Sequence, residues 1–77
     1  MNADQARQIA HRVSARVEPG RVSVALTVDS GDEAKFVMWT ERNGKIVQNI
    51  LDAASTSEQR LEAHLRGFCE NAGHHYQ

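Results

Sequence analysis

His64, Cys69, His74 and His75 fall in one short stretch near the end of the sequence, and imidazole nitrogens with a thiolate are ligands that zinc or nickel accepts. Their spacing does not make a ligand set. On a helix His64 aligns with Phe68 rather than with Cys69, and His74 and His75 follow Gly73, a residue that ends helices. The expectation is no metal and no cofactor. Cys69 falls on an apolar stripe with no histidine placed beside it by sequence, so it reads as a small hydrophobe rather than a nucleophile. Asp32 and Glu33 are adjacent carboxylates, but they sit in a loop between two strands. General acid or base work needs a pocket that perturbs the carboxyl group, and a loop tip offers water instead. No phosphate-loop, dinucleotide, HExxH or GxSxG motif occurs. We read the chain as non-enzymatic.

The 77 residues allow one domain, 1–77, and a chain of this size buries only roughly 60% of its unfolded surface. A single cysteine forms no internal disulfide framework, which points to reducing cytoplasm. No apolar run approaches the roughly 18 residues of a membrane span, and MNADQARQIAHR lacks the apolar centre of a signal peptide. The formal charge of −1 removes the simplest argument for a nucleic-acid binder.

The elements that position these residues are set by hydrophobic period. Ala6, Ile9, Ala10, Val13 and Val17 share one helical face, and Asn2 with Gln5 has the form of a capping box, so a helix is predicted over 3–16. Pro19-Gly20 ends it. Large apolar residues at every even position of Arg21–Asp29 predict the first strand. Residues 35–42 and 45–51 predict two more, joined by Asn43-Gly44, a pair that tolerates the positive φ angles of a two-residue turn. Ser55-Thr56-Ser57-Glu58 is a second capping-box candidate ahead of a helix over 56–72. The order is α-β-β-β-α, an α+β fold with both helices on one face of a three-stranded antiparallel sheet.

The Asn-Gly turn sets the register of the last two strands. Arg42 faces Lys45, Thr40 faces Val47, Met38 faces Asn49 and Phe36 faces Leu51 on one side; Glu41 with Ile46, Trp39 with Gln48 and Val37 with Ile50 lie on the other. Two helices cover one of these faces. A four-residue loop in the first hairpin pairs Leu26 with Val37 and makes the Trp39 face the core, whereas a five-residue loop reverses the faces. The four-residue loop is the expectation, because it sets Trp39 and the β-branched residues against the apolar face of the first strand. The outer face then carries Phe36, Met38, Val47 and Leu51 beside Arg21, Ala25, Arg42, Lys45 and Asn49, an apolar patch edged with charge of the kind found in interface cores.

Charge is divided along the chain. Residues 1–28 hold four basic against two acidic groups, and residues 29–77 five against eight. The acidic part includes Asp29, Asp32 and Glu33 on one loop and Glu58, Glu62 and Glu70 on the second helix, a distribution that can stand in for phosphates on a basic groove. The basic part, Arg7, Arg12 and Arg16, supports an alternative reading as a small nucleic-acid-binding or regulatory module. The element order is that of the double-stranded RNA-binding domain, but Asn43-Gly44 and Ser55–Arg60 lack that family's Gly-Pro-x-His loop and lysine cluster. A strand running through Asp52-Ala53-Ala54-Ser55-Thr56-Ser57-Glu58 into a final amphipathic helix, in a chain of this size, resembles the anti-CRISPR proteins of phages and mobile elements. That resemblance of size and organisation implies a stoichiometric inhibitor that docks on an RNA-guided effector complex and blocks nucleic-acid access. The expected partner-binding residues are Asp29, Asp32 and Glu33 on the loop, with Phe36, Met38 and Arg42 as outer-face anchors. A homodimeric structural subunit of a phage or bacterial assembly is a further alternative.

Overall fold

Asn2 opens the first helix by exchanging hydrogen bonds with Gln5: its side chain accepts from the Gln5 N–H at 2.8 Å, and its own N–H donates to Gln5 Oε1 at 3.1 Å. The helix α1, Ala3–Val17, therefore has a full capping box. Asp4 in its first turn and Arg16 in its last complement the helix dipole. Ala6, Ala10 and Val13 form its buried stripe. The computed structural model describes residues 2–74, the side chain of His74 excepted, and the order of elements is α-β-β-β-α.

Glu18 closes α1 in the left-handed region, φ 55°, with its N–H donated to the Ser14 carbonyl at 2.8 Å. The expected first strand is shorter than its alternation suggests. Arg21 and Val22 belong to a short 3-10 helix, Pro19–Val22, rather than to the strand, Ser23 turns it off at φ 59°, and the Val24 N–H donates back to the Pro19 carbonyl. Proline's fixed φ suits the start of such a helix, and the two left-handed residues fold the segment back on itself. The strand β1 is only Ala25–Asp29. The even positions nonetheless point inward as their period predicts, since Val22, Val24, Leu26 and Val28 all pack in or against the core.

The strands β2, Lys35–Arg42, and β3, Lys45–Asp52, pair antiparallel in the register the Asn-Gly turn dictates, Arg42 opposite Lys45 through Phe36 opposite Leu51. Asn43 and Gly44 both have positive φ, 53° and 78°. The first hairpin differs from expectation. Leu26 faces Met38 and Asp29 faces Lys35, so the loop is five residues, 30–34, and the faces are reversed. Phe36 and Met38 are fully buried, and the Trp39 side of the sheet is the outside.

A physical reason lies in the charges. The second hairpin already sets Lys35 against Asp52, and the five-residue loop adds Asp29 on the other side of Lys35. Alternating charges in a cross-strand row stabilise that register. The same register stacks Val28 on Phe36 and Leu26 on Met38, and Thr40, buried among them, donates its hydroxyl to the Ser23 carbonyl at 3.0 Å.

A second 3-10 turn, Ala53–Ser55, is tied to the first loop by the Ala53 N–H, which donates to the Ala34 carbonyl at 3.0 Å. The last helix, α2, is Glu58–His74, with Ser57 as its cap: the Ser57 hydroxyl accepts from the Arg60 N–H at 3.1 Å. The cap is thus Ser57, two residues beyond the expected Ser55. Leu61, Leu65 and Ala72 are buried, with Phe68 and Cys69 packed beside them. The helices lie chiefly over β1, β2 and the first 3-10 turn, and β3 projects beyond them. Its residues Lys45 to Ile50 are all exposed.

Candidate protein-binding surface

The outer face of the sheet is built from the odd positions of β1 and β2 and the even positions of β3. In order from the loop end, its rows are Asp29, Lys35 and Asp52; Thr27, Val37 and Ile50; Ala25, Trp39 and Gln48; then Glu41 and Ile46. Neither helix covers it. Trp39 is 36% exposed, Ile46 57% and Ile50 48%, and Val37 is half-buried between them. Val47, on the inner side of β3, is also exposed because the helices stop short of that strand. A contiguous aromatic and aliphatic patch with a polar rim is the composition of an interface core.

Phe36 and Met38, expected as outer-face anchors, are core residues with no exposed surface, so they are unable to touch a partner. Their place on the open face is taken by Trp39, Ile46 and Ile50. Leu51 turns inward with them and is half-buried against the core. Arg21 is exposed on the 3-10 turn, within reach of Glu18 at 3.4 Å, rather than on a strand face.

The acidic loop is where the sequence puts it. Asp29, Asp32 and Glu33 are all exposed, and Asp52 joins them at the same end of the sheet, with Asp32, Glu33 and Asp52 lining one depression. The Asp29 carboxylate accepts the Gly31 N–H at 3.1 Å, which shapes the loop. Lys35 Nζ stands 4.0 Å from Asp52 Oδ1. At the opposite end, Arg42 and Lys45 face each other across the turn. The loop end is therefore acidic; at the hairpin end Arg42 and Lys45 lie on the helix side of the sheet and Glu41 on the open face.

The basic stripe of α1 is not free. Arg12 Nη2 donates to Glu58 Oε1 at 2.7 Å, Arg16 Nη2 donates to Glu58 Oε2 at 2.8 Å, and Arg16 Nε donates to Glu62. Arg66 pairs with Glu62 from the other side at 3.2 Å, and Arg7 pairs with Asp4 at 2.9 Å. Hydrogen bonds from Arg12 and then Arg16 hold the Glu58 carboxyl down to about 2. Those from Arg16 and then Arg66 hold Glu62 below the usual carboxylate range. The same bonds raise both arginines further. Two groups expected to act separately, a phosphate-binding stripe and an acidic helix, instead neutralise each other between α1 and α2.

Cys69 is half-buried, and burial pushes its thiol up, away from the reactive thiolate. Among the described residues no group of three or more His, Cys, Asp or Glu side chains converges to hold a metal. Of the four side chains of the metal reading, those of His74 and His75 lie outside the described residues. Among the described residues no helix is long and apolar enough to cross a membrane. No family model, curated protein or solved structure matches the chain.

The open face is readable from sequence as a set of neighbours, since Val37, Trp39, Ile46 and Ile50 share a side in the Asn-Gly register. What assigns it to the outside is the five-residue first loop, which sets Leu26 and Val28 beside Met38 and Phe36.

Proposed function

We propose that the chain is a non-enzymatic protein-binding module whose partner seats on the open face of the sheet. The observation that carries this reading is the joint exposure of Trp39, Ile46 and Ile50 on one uncovered face. Tryptophan is among the residues that most often dominate binding energy, and aliphatic neighbours that exclude water strengthen it. The acidic end formed by Asp29, Asp32 and Glu33 adjoins the patch and orients a partner that carries a basic surface. The organisation shared with anti-CRISPR proteins extends the reading: the acidic end docks on a basic groove of an RNA-guided effector complex and keeps nucleic acid out by occupancy.

Affinity capture from the source cell tests this with three baits, the wild-type chain, Trp39→Ser with Ile50→Ser, and Asp32→Lys with Glu33→Lys. The expected result is a protein retained by the wild type, lost with the sheet-face variant and bound at least about tenfold more weakly by the charge-reversed one, a change of about 1.4 kcal/mol. Capture indifferent to both variants overturns the reading. Concentration-dependent light scattering that Trp39→Ser abolishes would replace the foreign partner with a second copy and make the chain a homodimeric subunit.

A further inference from the structure

Arg42 differs from every other arginine in the chain. The others are exposed, and all of them except Arg60 hold an acidic partner. Arg42 is half-buried, its Nε is shielded from solvent with no hydrogen-bond acceptor, and no acidic side chain among the described residues pairs with it. A shielded N–H without an acceptor is costly, so its position calls for an explanation. Arg42 also lines a cavity of about 240 Å³ between the hairpin end of the sheet and the second half of α2, together with Thr40, Val47, Phe68, Asn71 and Ala72.

The lining describes its occupant. Val47, Phe68 and Ala72 supply a carbon wall, and Arg42 and Asn71 supply polar hydrogens. The Thr40 hydroxyl is already committed to the Ser23 carbonyl. Lys45, exposed and opposite Arg42 on the same face, adds a second positive charge at the rim. The volume lies below the roughly 300 Å³ at which small-molecule sites begin, and so suits one side chain. A carboxylate satisfies a guanidinium by charge-assisted hydrogen bonds, and a short methylene stem matches the carbon wall, which a phosphate would leave unfilled.

We propose that this cavity receives a glutamate side chain of the protein partner, with Arg42 as the carboxylate receptor. The proposal rests on the protein-binding reading and adds a second contact point, at the opposite end of the sheet from the acidic loop. Arg42 lies on the helix side of the sheet, so a partner on the open face reaches the cavity round the exposed edge strand β3.

The test uses the full chain labelled with 15N and follows the Arg42 Nε–H resonance with the amides of Val47, Phe68 and Asn71. The probes are N-acetylglutamate methylamide and its neutral glutamine counterpart. A saturable millimolar response to the glutamate probe alone is expected, lost in Arg42→Gln and weakened in Asn71→Ala, a variant outside the hairpin that reports even if Arg42→Gln fails to fold. No response, or an equal response to the glutamine probe, overturns the proposal. If the cavity stays silent while Trp39-dependent capture persists, the glutamate site fails and the protein-binding reading stands. If the cavity responds and nothing is captured, the site stands as a carboxylate receptor and the protein-binding reading fails.

Discussion

Glu58 receives two guanidinium groups at once, from Arg12 and Arg16, and that pairing has a pH signature. Its carboxyl sits at about 2 in the folded chain against 4.5 for an unpaired glutamate. A depressed folded-state value gives stability that is complete above about 4.5 and is lost as pH falls toward about 2. The melting temperature of the wild type is therefore expected to drop between those values, and that of Glu58→Gln to start lower near neutrality and drop less over the same range. A second residue-scale prediction separates the two faces. Phe36→Ala should cost about 3–5 kcal/mol by urea titration, a large share of the roughly 4–12 kcal/mol expected for a chain of this size. Trp39→Ser should cost no more than about 1 kcal/mol. Comparable losses at both positions would contradict the assignment of the core. The arginine pairing is hidden from sequence because Arg12 and Glu58 are 46 residues apart. Periodicity places each on a helix, but only the packing of α1 on α2 brings them together.

Elements are legible in proportion to how local their chemistry is. Asn43-Gly44 carries its own backbone preference, so the register of β2 and β3 can be read residue for residue. The α1 cap is equally local. The loop at 30–34 has no such signature, and its length is settled by the pairing it permits. Arg21 and Val22 pass for strand because the valine keeps the alternation going, although the left-handed turns at Glu18 and Ser23 bend the backbone away from any sheet. Removing Ser30 tests the loop directly. A four-residue connection would slip β1 by one position against β2 and turn Leu26 and Val28 away from Met38 and Phe36. The expected outcome is loss of cooperative unfolding monitored by circular dichroism. An insertion of one glycine at the same place should be tolerated, since a surface loop adjusts to extra length at small entropic cost.

On the scale of the whole molecule, the formal charge of −1 conceals two arrangements. Between the helices, opposite charges are paired off. On the sheet, acidic groups crowd the loop end, while Arg42 and Lys45 stand at the hairpin end on the helix side. The first arrangement predicts that the purified chain does not shift generic DNA or RNA in a gel at low salt, because Arg12 and Arg16 are engaged with glutamates. A salt-sensitive shift would restore the nucleic-acid reading. The second makes Trp39, the chain's one tryptophan, a reporter of its own surface. Its emission should move to shorter wavelength when a partner seats on the sheet, and should stay constant on dilution if the free chain is a monomer.

The position of β3 outside the helical cover carries a consequence for how such a chain changes over generations. Phe36, Met38, Leu61, Leu65 and Val13 hold the fold together, and none of them lies on β3. Residues Lys45 to Ile50 can therefore be exchanged with little penalty to folding, so long as the strand still pairs with β2. Stability rests on the inward residues of β2, and recognition on its outward Trp39 and on β3. A chain so divided can follow a drifting partner by rewriting a single strand.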